Sequence, residues 1–168
     1  MTVYTFQRMT PEYAQSIAKW TYPEPYGMYS MDDDEETILE LLCGDYYYAL
    51  NEDHELIGYI CAGNAARVPG GYAAGIYENN QVIDVGLGLR PNLTGRGVGV
   101  EFFSSGIQFL INEKKMREFQ LVVASFNERA VKVYERVGFM RGCMFQSIVR
   151  GEAVDFQVMN VRINLIAE

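Results

Sequence analysis

A chain of 168 residues, 49% hydrophobic and 21% charged, has the length and balance of one globular domain spanning residues 1–168; this argues against global disorder. Its 14 Lys and Arg against 22 Asp and Glu give a formal net charge of -8 at pH 7. That balance opposes nonspecific binding to nucleic acid or anionic membrane, and it either favours a cationic substrate or simply keeps the chain soluble. No apolar run approaches the ~20 residues of a membrane span and the first twenty residues carry no secretory pattern, so a cytoplasmic protein is expected. Cys43, Cys61 and Cys143 are odd in number, widely spaced and not near the single histidine, His54. No metal site or disulfide framework is expected, and each cysteine reads as a small buried hydrophobe.

The first strand is expected over Val3–Phe6, followed by a helix capped by Thr10 with Pro11 at its first position and running to about Trp20. Thr21 to Met31 then carries Tyr22, Pro23, Pro25, Tyr26, Gly27 and Tyr29, which marks an aromatic loop. The acidic run Asp32–Glu36 suits the start of a second helix with an apolar stripe of Ile38, Leu39, Leu41 and Leu42, ended by Gly44. Tyr46–Leu50 and Glu55–Gly63 read as a hairpin whose polar turn holds His54, a solvated turn residue. Asn64–Gln81 shows no sustained period and reads as a long loop.

Val82–Leu110 is the organising stretch. Ile83, Val85, Leu87 and Leu89 alternate as a half-buried strand requires, whereas Val98, Phe102, Ile107 and Leu110 recur on a helical period. Between them Gly95, Gly97 and Gly99 bring backbone N–H groups to a helix start, an arrangement that favours phosphate. The turn lacks the Gly-Lys-Ser/Thr ending of a P-loop, and no second strand ends in the acidic residue a dinucleotide fold requires. Phe119–Ser125 is then a buried strand, Asn127 opens a helix with Ala130, Val133, Tyr134 and Val137 on one face, and Gly138 closes it. Phe139–Val149 and Val154–Ile163 are two last strands joined around Arg150-Gly151-Glu152.

The segment Leu89-Arg-Pro-Asn-Leu-Thr-Gly-Arg-Gly-Val-Gly99 resembles the acyl-CoA signature of the GNAT superfamily of N-acyltransferases, roughly Gln/Arg-x-x-Gly-x-Gly/Ala. Gly97 and Gly99 match its small positions, while Thr94 stands where the family usually has Gln or Arg. About thirty residues on, Asn127 to Phe139 resembles the family's Asn-x-x-Ala-x-x-x-Tyr-x-x-x-Gly-Phe segment. The element order, βααβββ then αβαββ, matches the family over the whole chain. The resemblance implies an α+β fold, with a mostly antiparallel twisted sheet of about seven strands flanked by helices and splayed at the acyl-CoA site.

What it implies for function is an N-acetyltransferase that transfers acetyl from acetyl-CoA to a primary amine of a small molecule or peptide. The amine attacks the thioester directly through a tetrahedral intermediate, with no metal. The alternative is a catalytically weak CoA-binding sensor or interaction module. On the resemblance, Tyr134 is the acid that protonates the leaving thiolate, and backbone at Leu87, Gly88 and Leu89 holds the thioester carbonyl. Thr94, Gly95, Arg96, Gly97, Val98, Gly99 and Val100 are expected at the pyrophosphate, with Asn127, Arg129 and Lys132 joining the cofactor site; Arg90 could add to a basic cluster. Asp84 is the candidate base, a substrate-binding carboxylate, or an ordinary outward-facing strand residue. Tyr22, Tyr26 and Tyr29 are expected at the acceptor, with carboxylates nearby suiting an amine. The expected partners are acetyl-CoA and an amine, not nucleic acid or membrane, and the late strands could pair in a homodimer.

Overall fold

The alternation around Ile83–Leu89 becomes the central strand of a seven-stranded sheet in a computed structural model that describes residues 3–164. The strands are β1 (Thr5–Arg8), β2 (Tyr46–Leu50), β3 (Leu56–Ala62), β4 (Ile83–Leu89), β5 (Glu118–Ala124), β6 (Met140–Val149) and β7 (Glu152–Arg162). They lie in the order β1-β2-β3-β4-β5-β7-β6, antiparallel throughout except for β4 beside β5. The helices are α1 (Pro11–Ala18), α2 (Glu35–Leu41), α3 (Pro69–Ala73), α4 (Gly99–Lys114) and α5 (Glu128–Val137). This is the expected mixed α+β architecture.

Successive strand residues face opposite ways, and the sheet uses both faces. Tyr47, Ile60, Val85, Phe119 and Leu121 pack with Phe103, Ile107 and Leu110 of α4 and Val131 of α5. One residue along, Tyr46 and Cys61 pack on the opposite face with Ala14, Ile17 and Ala18 of α1, Trp20, and Leu41 of α2. Each fully buried large side chain contributes about 1.5–3 kcal/mol of transfer free energy, so this sandwich sets the rigidity of the central strands.

Local chemistry explains the helix starts. Thr10 Oγ1 accepts from Tyr13 N–H with Pro11 at the first position, Asp34 Oδ1 accepts from Thr37 N–H at 2.8 Å, and Asn127 Oδ1 accepts from Ala130 N–H at 3.2 Å. Three expectations change. α2 is only seven residues long and buries Leu41 while Leu39 is exposed, because two turns present too narrow a stripe for all four apolar side chains. The long loop contains α3, whose five residues are too few to show a period; Pro69 starts it and Ser147 Oγ of β6 accepts the N–H of Gly70 at 2.9 Å. Only Cys61 is buried; Cys43 lies exposed past α2 and Cys143 on the edge strand β6.

Candidate active site

The site begins where the sheet comes apart. β4 and β5 are paired only at Ile83 with Phe119 and Asp84 with Gln120. Beyond that point β4 continues against β3 as far as Leu89, and β5 continues against β7 as far as Ala124. The cleft between them has a volume of about 710 Å³, with Val85–Leu89 on one wall and Leu121–Val123 on the other. Backbone direction alternates along an antiparallel strand. Asp84 C=O accepts from Gly63 N–H and Arg90 N–H donates to Ile57 C=O, so the even-numbered residues of β4 address β3. The N–H and C=O groups of Val85, Leu87 and Leu89 therefore point into the cleft. Tyr22 Oη, donating at 2.5 Å, takes the Leu89 carbonyl, which leaves the N–H groups of Leu87 and Leu89 as donors there. Gly88 contributes differently: a β-carbon there would strike the ring of Tyr59, which occupies that space and lines the cleft.

Below the strand ends, the glycine turn leads into α4. Gly95 and Gly97 have φ of +73° and +79°, a left-handed conformation that costs other residues about 1–2 kcal/mol. The start of α4 has no side-chain cap, so its first N–H groups face the cleft mouth with the positive end of a sixteen-residue helix. Arg129 Nη1 sits 2.9 Å from the point a Gly95 β-carbon would occupy, which puts a guanidinium against the turn. Lys132 and Arg136 follow it along the same face of α5 and line the cleft.

Of the residues expected at the cofactor, Leu87, Gly88, Leu89, Thr94, Gly95, Gly97, Gly99, Val100, Asn127, Arg129 and Lys132 line this one cleft. Arg96 is exposed outside the lining, and Val98 instead packs on Ala49, Ile57, Leu89 and Phe102. Arg90 is occupied in its own loop, with Nε donating to Asn92 Oδ1 at 2.8 Å and Nη1 to Leu56 C=O at 3.1 Å. Thr94 Oγ1 donates to Pro91 C=O at 2.9 Å, so the residue that departs from the family pattern closes the turn with its hydroxyl.

Tyr134 lines the cleft from α5, its ring held edge-on against Phe103 with centroids 5.0 Å apart. Burial pushes its phenol well above the ordinary value of 10, with smaller contributions from Tyr29 and Cys61 nearby. The aromatic loop closes on itself, Met31 N–H donating to Trp20 C=O and Tyr22 N–H to Ser30 Oγ, and it aims Tyr22, Tyr26 and Tyr29 into the cleft. Burial pushes the Tyr22 phenol up to about 12, and Tyr29 Oη accepts from Asn127 Nδ2 at 3.3 Å. The capping residue of α5 thus also tethers the loop.

Asp84 is brought close in the chain but not into the cleft lining. It is buried, Oδ2 accepting from Arg67 Nε at 2.9 Å and Oδ1 from Gln120 Nε2 at 2.9 Å. Gln120 Nε2 also donates to Ile76 C=O, and the Arg67 guanidinium lies over the Tyr77 ring at 4.8 Å. A carboxylate with both oxygens engaged, at the last bonded pair before the splay, pins the long loop to the sheet; it is not placed as a base. Sequence reasoning missed Tyr59, Phe126, Arg136 and the β5 wall. Only Arg136 left a trace, seven residues after Arg129 on one helix face.

The chain belongs to the acetyltransferase (GNAT) family, whose model matches residues 12–139. No curated protein matches the sequence. Among solved structures, the fold is similar to that of a GNAT-family acetyltransferase from Bacillus anthracis, with a TM-score of 0.73, 14% identity, and coverage of 95% of this chain and 94% of that one. It is also similar to mutant forms of the spermidine/spermine N-acetyltransferase from Vibrio cholerae, with a TM-score of 0.66, 14% identity and 95% of both chains covered. An aminoglycoside acetyltransferase solved with coenzyme A gives a TM-score of 0.68 and 18% identity over 93% of this chain and 94% of that one.

Proposed function

We propose that the protein transfers an acetyl group from acetyl-CoA to a primary amine by direct attack within the β4–β5 cleft. The observation that carries the reading is the meeting, in one cleft, of the outward N–H groups of Leu87 and Leu89, the glycine turn and Tyr134. The residues present fit the cosubstrate: two left-handed glycines and an uncapped helix start suit a pyrophosphate, and Arg129 and Lys132 suit further phosphate charge. Acetyl-CoA would supply a thioester, an acyl carbon already activated toward nitrogen.

Leu87 and Leu89 N–H groups stabilise negative charge on the acyl oxygen as the N–C bond forms and the C–S bond breaks. Tyr134, held protonated by burial, gives its proton to the departing sulfur and regains one from solvent. Among the described residues Glu128 is the only carboxylate lining the cleft, and the only histidine, His54, is exposed in the β2–β3 turn. The ammonium therefore loses one proton to water before attack, and the nitrogen gives up a second to water as the tetrahedral intermediate collapses to the amide and the thiol.

Free thiol released from acetyl-CoA, measured with a panel of primary amines at several pH values, tests this. The expected result is amine-dependent thiol release, with kcat/KM climbing as the pH approaches the amine's own pKa. Affinity for CoA without thiol release with any amine would instead make the protein a CoA-binding module.

A further inference from the structure

The aromatic loop and the distribution of charge in the cleft together constrain the acceptor. Seven aromatic side chains line the cleft; Phe103 and Tyr134 pack on each other, and Tyr22, Tyr26, Tyr29, Tyr59 and Phe126 form the rest of the aromatic wall. Against them stand three cations, Arg129, Lys132 and Arg136, and the single carboxylate Glu128 among the described residues. The chain's acidic excess does not reach this place. Asp34 caps α2, Asp32 lies 3.7 Å from Arg150 at the β6–β7 turn, and none of the run Asp32–Glu36 lines the cleft. Asp84 is spent on Arg67 and Gln120, and Asp45 Oδ2 accepts from Ala65 N–H.

With the cations turned to the cosubstrate's phosphates, an amine with further ammonium groups would have to bring each of them out of water into a cleft whose lining offers Glu128 as its only carboxylate among the described residues. Aromatic faces can replace carboxylates as partners for a cation, but the Tyr26 face is already taken by the Arg129 guanidinium at 4.4 Å. The Tyr22 hydroxyl is likewise committed to the Leu89 carbonyl. What the wall offers freely is apolar area. Phe126 is 43% exposed, with its ring 6.3 Å from Tyr26, so it can lie along a flat or apolar body without displacing a protein contact.

We infer that the acceptor is a primary monoamine carried on an aromatic or apolar body, with no second positive charge. The inference rests on the N-acetyltransferase reading above, and it separates this cleft from those of polyamine- or aminoglycoside-acetylating enzymes.

Phenethylamine and spermidine serve as probes, with thiol release from saturating acetyl-CoA as the readout at one pH and ionic strength. The expected result is a kcat/KM for phenethylamine at least about tenfold above that for spermidine, the scale a hydrophobic pocket achieves. Phe126→Glu, an exposed site where folding is not at stake, should lower the phenethylamine value and raise the spermidine value. Spermidine equal to or better than phenethylamine would overturn the inference while leaving acetyl transfer intact. Thiol release with neither probe nor any other primary amine, despite calorimetric binding of CoA, would overturn the transferase reading and this inference with it.

Discussion

The two walls of the cleft are built on different principles. Around Gly95–Val100 the protein offers backbone: N–H groups, a helix end, and cations along α5. Around Tyr22–Tyr29 it offers side chains: phenols and rings carried on a loop, with Tyr59 and Phe126 added from β3 and the turn before α5. Backbone recognition suits a ligand part that never varies, because it depends on chain conformation and not on side-chain identity. A side-chain wall suits a partner that must be discriminated, since rings such as Phe126 can change without altering the backbone of the turn. The difference teaches that the glycine turn and the aromatic wall can be broken separately.

The strongest break falls at the seam between the walls. Tyr134→Phe keeps the ring against Phe103 and removes only the hydroxyl proposed as the proton donor, so kcat should fall about 10²- to 10⁴-fold, the range for loss of a general acid. Acetyl-CoA affinity should stay within error, and equal turnover in the variant would remove Tyr134 as the acid. In the wild type, the phenol's raised pKa keeps the acid form present through pH 10, so Tyr134 should impose no fall in kcat between pH 7 and 10. A descending limb at pH 8 in the wild type, absent in the variant, would contradict that assignment.

Asp84 sharpens the comparison by belonging to neither wall. Removing one partner of a buried ion pair costs about 3–5 kcal/mol, and the partial exposure of Arg67 places Asp84→Ala at the low end of that range. The melting temperature should drop clearly, while kcat of the folded fraction stays within a few-fold of wild type. A variant that melts normally but has lost turnover would return Asp84 to the chemistry.

The same division decides what could be read in advance. Strand alternation, glycine spacing and the Asn127–Phe139 segment are local patterns, so β4, the turn, Asn127 and Tyr134 were legible, and eleven of the thirteen expected cofactor residues line the cleft. Val98 was read in two ways, as a turn residue by its place between the glycines and as part of one apolar stripe with Phe102, and it packs as the stripe requires. The role of Asp84 depends on Arg67, 17 residues before it, and Gln120, 36 residues after it, and no local window contains that triad. Tyr59 reaches the cleft only because Gly88, paired across from it, lacks a side chain. The acidic run was legible as a helix start, and Asp34 caps α2 through Thr37 three residues on. The chain's acidic excess suggested a cationic substrate, but no residue of that run lines the cleft, and Asp32 lies instead by Arg150, far away in sequence.

Gly97→Val attacks the backbone wall alone. The φ of +79° costs a β-branched residue about 1–2 kcal/mol, and nothing lies within 4 Å of the new β-carbon, so conformation and not collision is being tested. The turn relaxes out of its left-handed state, and the Michaelis constant for acetyl-CoA should rise about tenfold. The amine constant should hold, and a larger change in the amine constant would mean the two walls are not independent.

Lys132→Ala should produce the smallest effect and separate charge from shape within the backbone wall. Lys132 is exposed on α5, its ammonium is screened by water and salt, and it lines the cleft without a fixed partner among the described residues. Its expected contribution to binding an anionic cosubstrate is therefore Coulombic and of the order of 0.2–1 kcal/mol, about 1.4- to fivefold in the acetyl-CoA constant at low ionic strength. Raising the salt toward 0.5 M should weaken acetyl-CoA binding to the wild type and bring the two proteins together, because both then rely on the N–H groups of the turn. If the variant instead stays weaker by the same factor at every salt concentration, Lys132 acts through a fixed hydrogen bond, and the backbone wall depends on side-chain identity after all.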